Sequence, residues 1–218
     1  MLHLQDTDHQ KHHTGIDSDI TKKSIEYDDK LLGTIIEGIE AAERNAGGDP
    51  EKGIHHFDIL IFSDHACMNI KENILPNDLL KERGISFESA WFQTVNGACF
   101  LHISDTISKE DRAKLDAFIE EFLAMPGVKR KLTDEEMKES GAIGAGFTMG
   151  FTPYPGTTFG AMKKGQHGYT PDNDNYKIFY LEIGPGLIGD DIERVRELST
   201  PDCRVISVKA GGTLSGDY

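Results

Sequence analysis

Between residues 18 and 48 the apolar positions Ile25, Leu32, Ile35, Ile36 and Ile39 recur at helical spacing. Ser18 or Asp19 can cap the start, and Gly47-Gly48 supplies a stop, so the pattern predicts one long helix. Short apolar runs flank it. "LHLQ" at the start reads as a short strand. "HFDILIFSDH" reads as a buried strand, apolar through Phe62 and polar at its carboxyl end. A strand, a long helix and a second apolar strand predict a parallel sheet with crossover helices. Sites in such sheets gather at the carboxyl ends of strands. Asp6 and Asp8 follow one strand end, and Asp64 and His65 follow another.

The middle of the chain changes character. "AWFQTV" and "ACFLHI" flank Asn96-Gly97, the preferred two-residue hairpin turn. Trp91, Phe92, Phe100 and His102 alternate along the hairpin and read as core. "SKEDRAKLDAFIEEFLAMPG" is an amphipathic helix with Ser108 and Asp111 placed for a capping box. "VKRKLT" reads as a strand, and Thr133 with Glu136 as the cap of a short helix. Residues 85–140 are thus expected to form a small α+β insertion. The Gly-, Pro- and Thr-rich stretch 141–174 is expected to be largely loop. "KIFYLEIGPG" returns to a buried strand, "DDIERVREL" to a short helix and "CRVISVKA" to a last strand. The expected architecture is α/β: a single domain over residues 1–218, with a mainly parallel sheet flanked by helices and the insertion at about 85–140.

Composition narrows the function. With 218 residues, 38% hydrophobic and 28% charged, the chain reads as globular. Its apolar runs fall far short of the roughly 20 residues of a membrane span. Nothing at its start resembles a signal peptide, so its location is left open. A net charge of −14 argues against a nucleic-acid backbone as partner. It leaves room for a small phosphorylated substrate if bound divalent cations supply the local positive charge. Three cysteines (Cys67, Cys99, Cys203) do not make a disulfide framework.

The first fifteen residues, "MLHLQDTDHQKHHTG", hold four of the nine histidines. One reading is a disordered polar start; the other is half of a metal site. Asp8 and His12 stand four apart, with Gly15 three further on. Asp64-His65 lies at a strand end, and His167 sits in "GQHGY" inside the glycine-rich stretch. Carboxylate oxygen and imidazole nitrogen are ordinary ligands for Zn²⁺, with Mn²⁺ as an alternative. Taken singly, an Asp-His pair or a loop histidine is a common surface feature.

In order, these pieces resemble the type I phosphodiesterase/nucleotide pyrophosphatase family of the alkaline phosphatase superfamily. "LHLQDTDHQKHHTG" resembles its Asp-x-Asp-x-x-Gly-His-x-x-Gly segment, and "EYDDKLLGTIIEGIE" the helix that follows. "ILIFSDHACM" resembles its strand ending Ser-Asp-His-Gly-Met. "GQHGYTPDND…IFYLEIGPG" resembles its late His-Gly-Tyr loop and the next strand. The resemblance implies an alkaline-phosphatase-like fold and hydrolysis of phosphodiesters or nucleotide pyrophosphates by two Zn²⁺ ions. Asp8, His12 and His167 would hold one ion, and Asp64 and His65 the other. Asp6 would orient a ligand, and Lys163 and Lys164 would meet a substrate phosphate.

The pattern departs at Lys11, where the family has glycine, and at "DHACM", where Cys67 either packs or ligates zinc. His9 and His13 flank His12 and compete with it for the ligand role. The resemblance also places the nucleophile and another metal ligand in a half that precedes the Asp-x-Asp segment. The fold is therefore expected to be incomplete on its amino-terminal side and the chain to lack the nucleophile. None of Thr106, Thr148, Thr152, Thr157 or Thr158 sits where the family's nucleophile does. Two other readings remain: an inactive metal-binding or interaction fragment, and another superfamily hydrolase such as a phosphatase or sulfatase.

Overall fold

The computed structural model describes residues 2–52, 54, 56–161, 163–170, 176, 178–183 and 203–207. In chain order its elements are α1 (Asp6–Thr14), α2 (Asp19–Asn45), β1 (Ile59–Phe62), β2 (Met68–Asn69), β3 (Glu72–Ile74), α3 (Pro76–Glu82), β4 (Ala90–Thr94) and β5 (Cys99–Ile103). They continue with α4 (Lys109–Leu123), β6 (Val128–Lys131), α5 (Asp134–Glu139), β7 (Met149–Pro153), β8 (Thr157–Phe159), β9 (Gly165–Gln166), β10 (Ile178–Ile183) and β11 (Cys203–Ser207). The helix expected at "DDIERVREL" lies outside the described residues. The chain divides into two compact units. One contains residues 1–7, 19–66 and 174–218; the other contains 8–18 and 67–173.

In the first unit β1, β10 and β11 form a sheet in that order. β10 pairs parallel with β11 and antiparallel with β1. "LHLQ" is not a strand: the chain is helical from Asp6. With that first strand gone, so is the strand–helix–strand crossover expected at the start. β1 alternates rather than being buried throughout, with Leu60 and Phe62 about half exposed (51% and 52%). Ile59 and Ile61, on its other face, are half-buried. The apolar stripe of α2 is also only half-buried, and Ile25 is exposed; the fully buried positions are Thr21, Ser24 and Glu43. Hydrogen bonds offset the cost of that burial. Ser24 donates to the Thr21 carbonyl, and the Glu43 carboxylate accepts the backbone N–H groups of His56 and Phe57.

The second unit is built on an antiparallel sheet, β4-β5-β7-β6, and the stretch expected as an α+β insertion lies inside it. Its core joins Phe92, Leu101 and Phe151 of the sheet to Leu115, Phe118 and Phe122 of α4. Ser108 caps α4 by accepting the Asp111 N–H. The Asp111 carboxylate accepts from Ser89 instead of closing a capping box. The box expected at Thr133 and Glu136 forms, and Glu136 also takes both guanidinium nitrogens of Arg130. Alternation splits the hairpin residues. Phe92 enters the core, while Trp91, Phe100 and His102 are half-buried on the other face. The described residues of the glycine-rich stretch are largely loop, as expected, and the stretch also supplies three short strands, β7, β8 and β9. Gly150 in β7 leaves room for Leu132 and Met137: a Cβ there would stand 2.6 Å from Leu132 Cδ1 and 2.7 Å from Met137 Sδ, and those side chains would have to shift.

Candidate metal centre

The polar opening forms a helix for electrostatic reasons. Asp6 and Asp8 stand in the first turn of α1, and Lys11, His12 and His13 in the last, so each set faces the helix-dipole end it favours. Thr14 Oγ1 donates to the Gln10 carbonyl at 2.8 Å. Gly15, at φ 93°, closes the helix by donating its N–H to the Lys11 carbonyl. Helical spacing then puts Asp8 and His12 on one face, four residues apart. His12 Nε2 lies 3.4 Å from Asp8 Oδ2.

His167 arrives from the far end of the second unit. Its ring centre is 5.1 Å from that of His12. Among the described residues one group of three metal-ligating side chains converges: Asp8, His12 and His167 each offer a ligand atom, all within 4.8 Å of one another.

The backbone around His12 fixes which nitrogen is free. His12 Nδ1 lies 2.7 Å from the Gly165 carbonyl oxygen. A carbonyl only accepts, so Nδ1 carries the proton and Nε2 of the neutral ring keeps its lone pair, beside Asp8. A carbonyl holding the distal nitrogen of a ligating histidine is the common outer support of a metal site. The Lys164 N–H donates to the His12 carbonyl at 3.0 Å, which ties the His167 loop to α1 a second time. Gly165 is required there: a Cβ would stand 2.6 Å from the Lys11 carbonyl oxygen and 3.1 Å from Cys67 Sγ.

Two further contacts seat the loops. Asn69, in β2, accepts the Ile16 N–H at 2.8 Å and donates to the Asp17 carboxylate, bracing the turn that ends α1. The hairpin turn at Asn96-Gly97 abuts the loop of His167. A Cβ on Gly97 would stand 2.3 Å from the Tyr169 nitrogen, and one on Gly168 (φ 89°) 2.5 Å from the Val95 oxygen. The doubled glycine contact was half legible, since Gly168 belongs to "HGY" but Gly97 reads only as a turn residue.

The other expected site residues divide. Asp64 and His65 lie in the first unit, directly after β1. His65 repeats the arrangement of His12: its Nδ1 lies 3.0 Å from the Ala66 carbonyl oxygen and its Nε2 3.7 Å from Asp64 Oδ2. His3 Nε2 is 3.8 Å from the same Asp64 oxygen. Asp6 is exposed at the start of α1, and Lys163 and Lys164 are exposed in the loop before β9. Cys67 is partly buried beside Gly165 and is not among the converging ligands. Burial pushes its thiol up to about 11, against an opposing pull from the Lys11 charge.

The sequence matches the profile of the type I phosphodiesterase / nucleotide pyrophosphatase family over residues 1–145. The chain belongs to that family. No curated protein matches it. Solved structures give the same fold. Murine ectonucleotide pyrophosphatase / phosphodiesterase 5 superposes with a TM-score of 0.59 at 18% identity, covering 82% of this chain and 45% of that one. An inactive variant of the murine protein, in complex with AMP, superposes equally well. Phosphonoacetate hydrolase from Sinorhizobium meliloti 1021, in complex with phosphonoacetate, gives 0.54 at 14% identity, covering 83% of this chain and 45% of that one. This type I phosphodiesterase-family chain therefore has the α/β, alkaline-phosphatase-like fold and spans less than half the length of these relatives. No described helix is long and apolar enough to cross a membrane.

Proposed function

We propose that Asp8, His12 and His167 hold a Zn²⁺ ion used in hydrolysing a phosphodiester or nucleotide pyrophosphate. The observation that carries this reading is the convergence of residues 8, 12 and 167 with the histidine tautomer already set by Gly165. One carboxylate and two imidazoles suit zinc, and the same donors accept Mn²⁺. Asp64 and His65 are assigned to a second ion, because His65 has its Nδ1 held by a carbonyl in the same way.

When bound, the metal supplies Lewis-acid stabilisation of phosphoryl oxygens. The protein's own groups do the rest. Gly165 and Asn69 hold His12 and the end of α1 against movement. The negative charge of Asp8 keeps the site cation-selective. The ammonium groups of Lys163 and Lys164 offer positive charge to an approaching phosphate, in a chain whose net charge would otherwise repel it. Asp6 is assigned the role of orienting a ligand. The AMP complex of the murine relative supports a nucleotide as the substrate class.

The test is elemental analysis of the purified 218-residue chain together with hydrolysis of a chromogenic phosphodiester. The expected result is bound zinc that falls by about one ion per chain in Asp8→Asn and His167→Ala. Turnover, where present, should be lost in His167→Ala and Asp64→Ala. Absence of metal, or metal indifferent to Asp8 and His167, would overturn the site. Metal that depends on both residues but brings no turnover would favour the other reading, a metal-binding member without activity. The partial coverage of the relatives is the observation behind that alternative.

A further inference from the structure

α1 carries a second pair of metal-ligating side chains that the site above does not use. His9 and His13 are also four residues apart, one position on from Asp8 and His12, and so lie about 100° around the helix. Both are exposed. Their ring centres are 4.5 Å apart, with the planes inclined at 48°.

That spacing suits a shared ion. A ring centre sits about 3.2 Å from a metal held by one of its nitrogens, taking about 2.1 Å for the bond and about 1.1 Å within the ring. Two rings 4.5 Å apart then subtend roughly 90° at a common ion, the angle of adjacent positions in octahedral or tetragonal coordination. The 5.1 Å spacing of His12 and His167 corresponds to roughly 105°, nearer the tetrahedral preference of zinc. Imidazole ligands with tetragonal or octahedral geometry select Cu²⁺ and Ni²⁺. The helix presets the pair, so the second ligand binds at high effective concentration. The −14 net charge attracts a cation from any direction.

We propose that His9 and His13 form a separate, solvent-facing site for a late first-row divalent cation. Its remaining coordination positions are open to water. It is distinct from the Asp8/His12/His167 centre, although the two share a helix, and it does not depend on the function assigned to that centre.

The test is calorimetric titration of the full chain with NiCl₂, on wild type, on His9→Ala/His13→Ala, and on Asp8→Asn/His167→Ala, with circular dichroism as the folding control. The expected result is that the His9/His13 variant loses one Ni²⁺ equivalent, while the Asp8/His167 variant keeps it. Either single change, His9→Ala or His13→Gln, should weaken that equivalent by about 100-fold, as expected when chelation is lost. An unchanged stoichiometry in His9→Ala/His13→Ala would overturn the proposal. So would loss of all binding in Asp8→Asn/His167→Ala with the helical signal intact. Failure of the zinc assignment alone would leave the His9/His13 equivalent in place.

Discussion

Gly97 and Gly168 touch where two side chains would collide, and that contact seats His167. Replacing Gly168 by alanine forces a φ of 89° on an L-residue and drives a Cβ against the Val95 carbonyl. A cost of about 1–3 kcal/mol is expected. Gly97→Ala meets backbone on all three near approaches, so the loop must shift instead. Both variants should lose metal affinity without altering a ligand, which competition with a zinc chelator would reveal. Unchanged affinity in both would detach the hairpin turn from the site.

Cys67 gives a second expectation at this scale. With burial raising its thiol from the ordinary 9.0 to about 11, it stays protonated at neutral pH. Its alkylation should be slow at pH 8 and accelerate as pH nears 11. The sign for stability follows. Between 9 and 11 the unfolded thiol loses its proton before the folded one does, so folding is favoured less as pH rises. A thiol that reacts at pH 8 like an exposed one would contradict this.

Elements were legible where local chemistry and tertiary packing agreed. The Thr133–Glu136 box, the Ser108 cap and the hairpin at Asn96-Gly97 appear as read, because each is decided by neighbours within a few residues. Thr133→Ala should cost about 1 kcal/mol, the usual worth of an N-cap, visible as a fall of roughly 2–4 °C in melting temperature for a chain of this size. The failures had the opposite cause. "LHLQ" is too short for periodicity to separate strand from coil, and the helix that follows has no apolar stripe to announce it. It is made by charge placement and by a glycine cap. β7 was hidden because its one glycine and one proline read as loop signals, whereas Gly150 leaves room for Leu132 and Met137. Asp8, His12 and His167, which the structure brings together, were singled out in the sequence by their resemblance to the family's motifs. Their supports, Asn69, Gly97 and the Gly165 carbonyl, were not, since nothing local marks a residue whose partner lies 50 to 150 positions away.

The scale of the whole chain bears on how metal reaches the site. A net charge of −14 sets up a field that draws divalent cations in and holds phosphates off. Around the converging ligands the balance is local as well as global, since Lys163 and Lys164 are exposed in the loop just before His167. Exposed charges are screened beyond a Debye length, which falls from about 30 Å at 0.01 M salt to about 8 Å at 0.15 M. At low salt the whole acidic surface acts on an incoming ion. At high salt only near neighbours do, and their pull or push is weakened as well. Zinc association should therefore slow as salt rises, by about tenfold or more over that range if the acidic surface steers it. Stopped-flow displacement of zinc from a coloured chelator would measure this. In Lys163→Gln/Lys164→Gln the rate should rise most at low salt, where the repulsion between the two ammonium groups and the incoming cation is least screened. A rate independent of salt in both proteins would mean that loop motion at His167, rather than the field of the chain, limits metal entry.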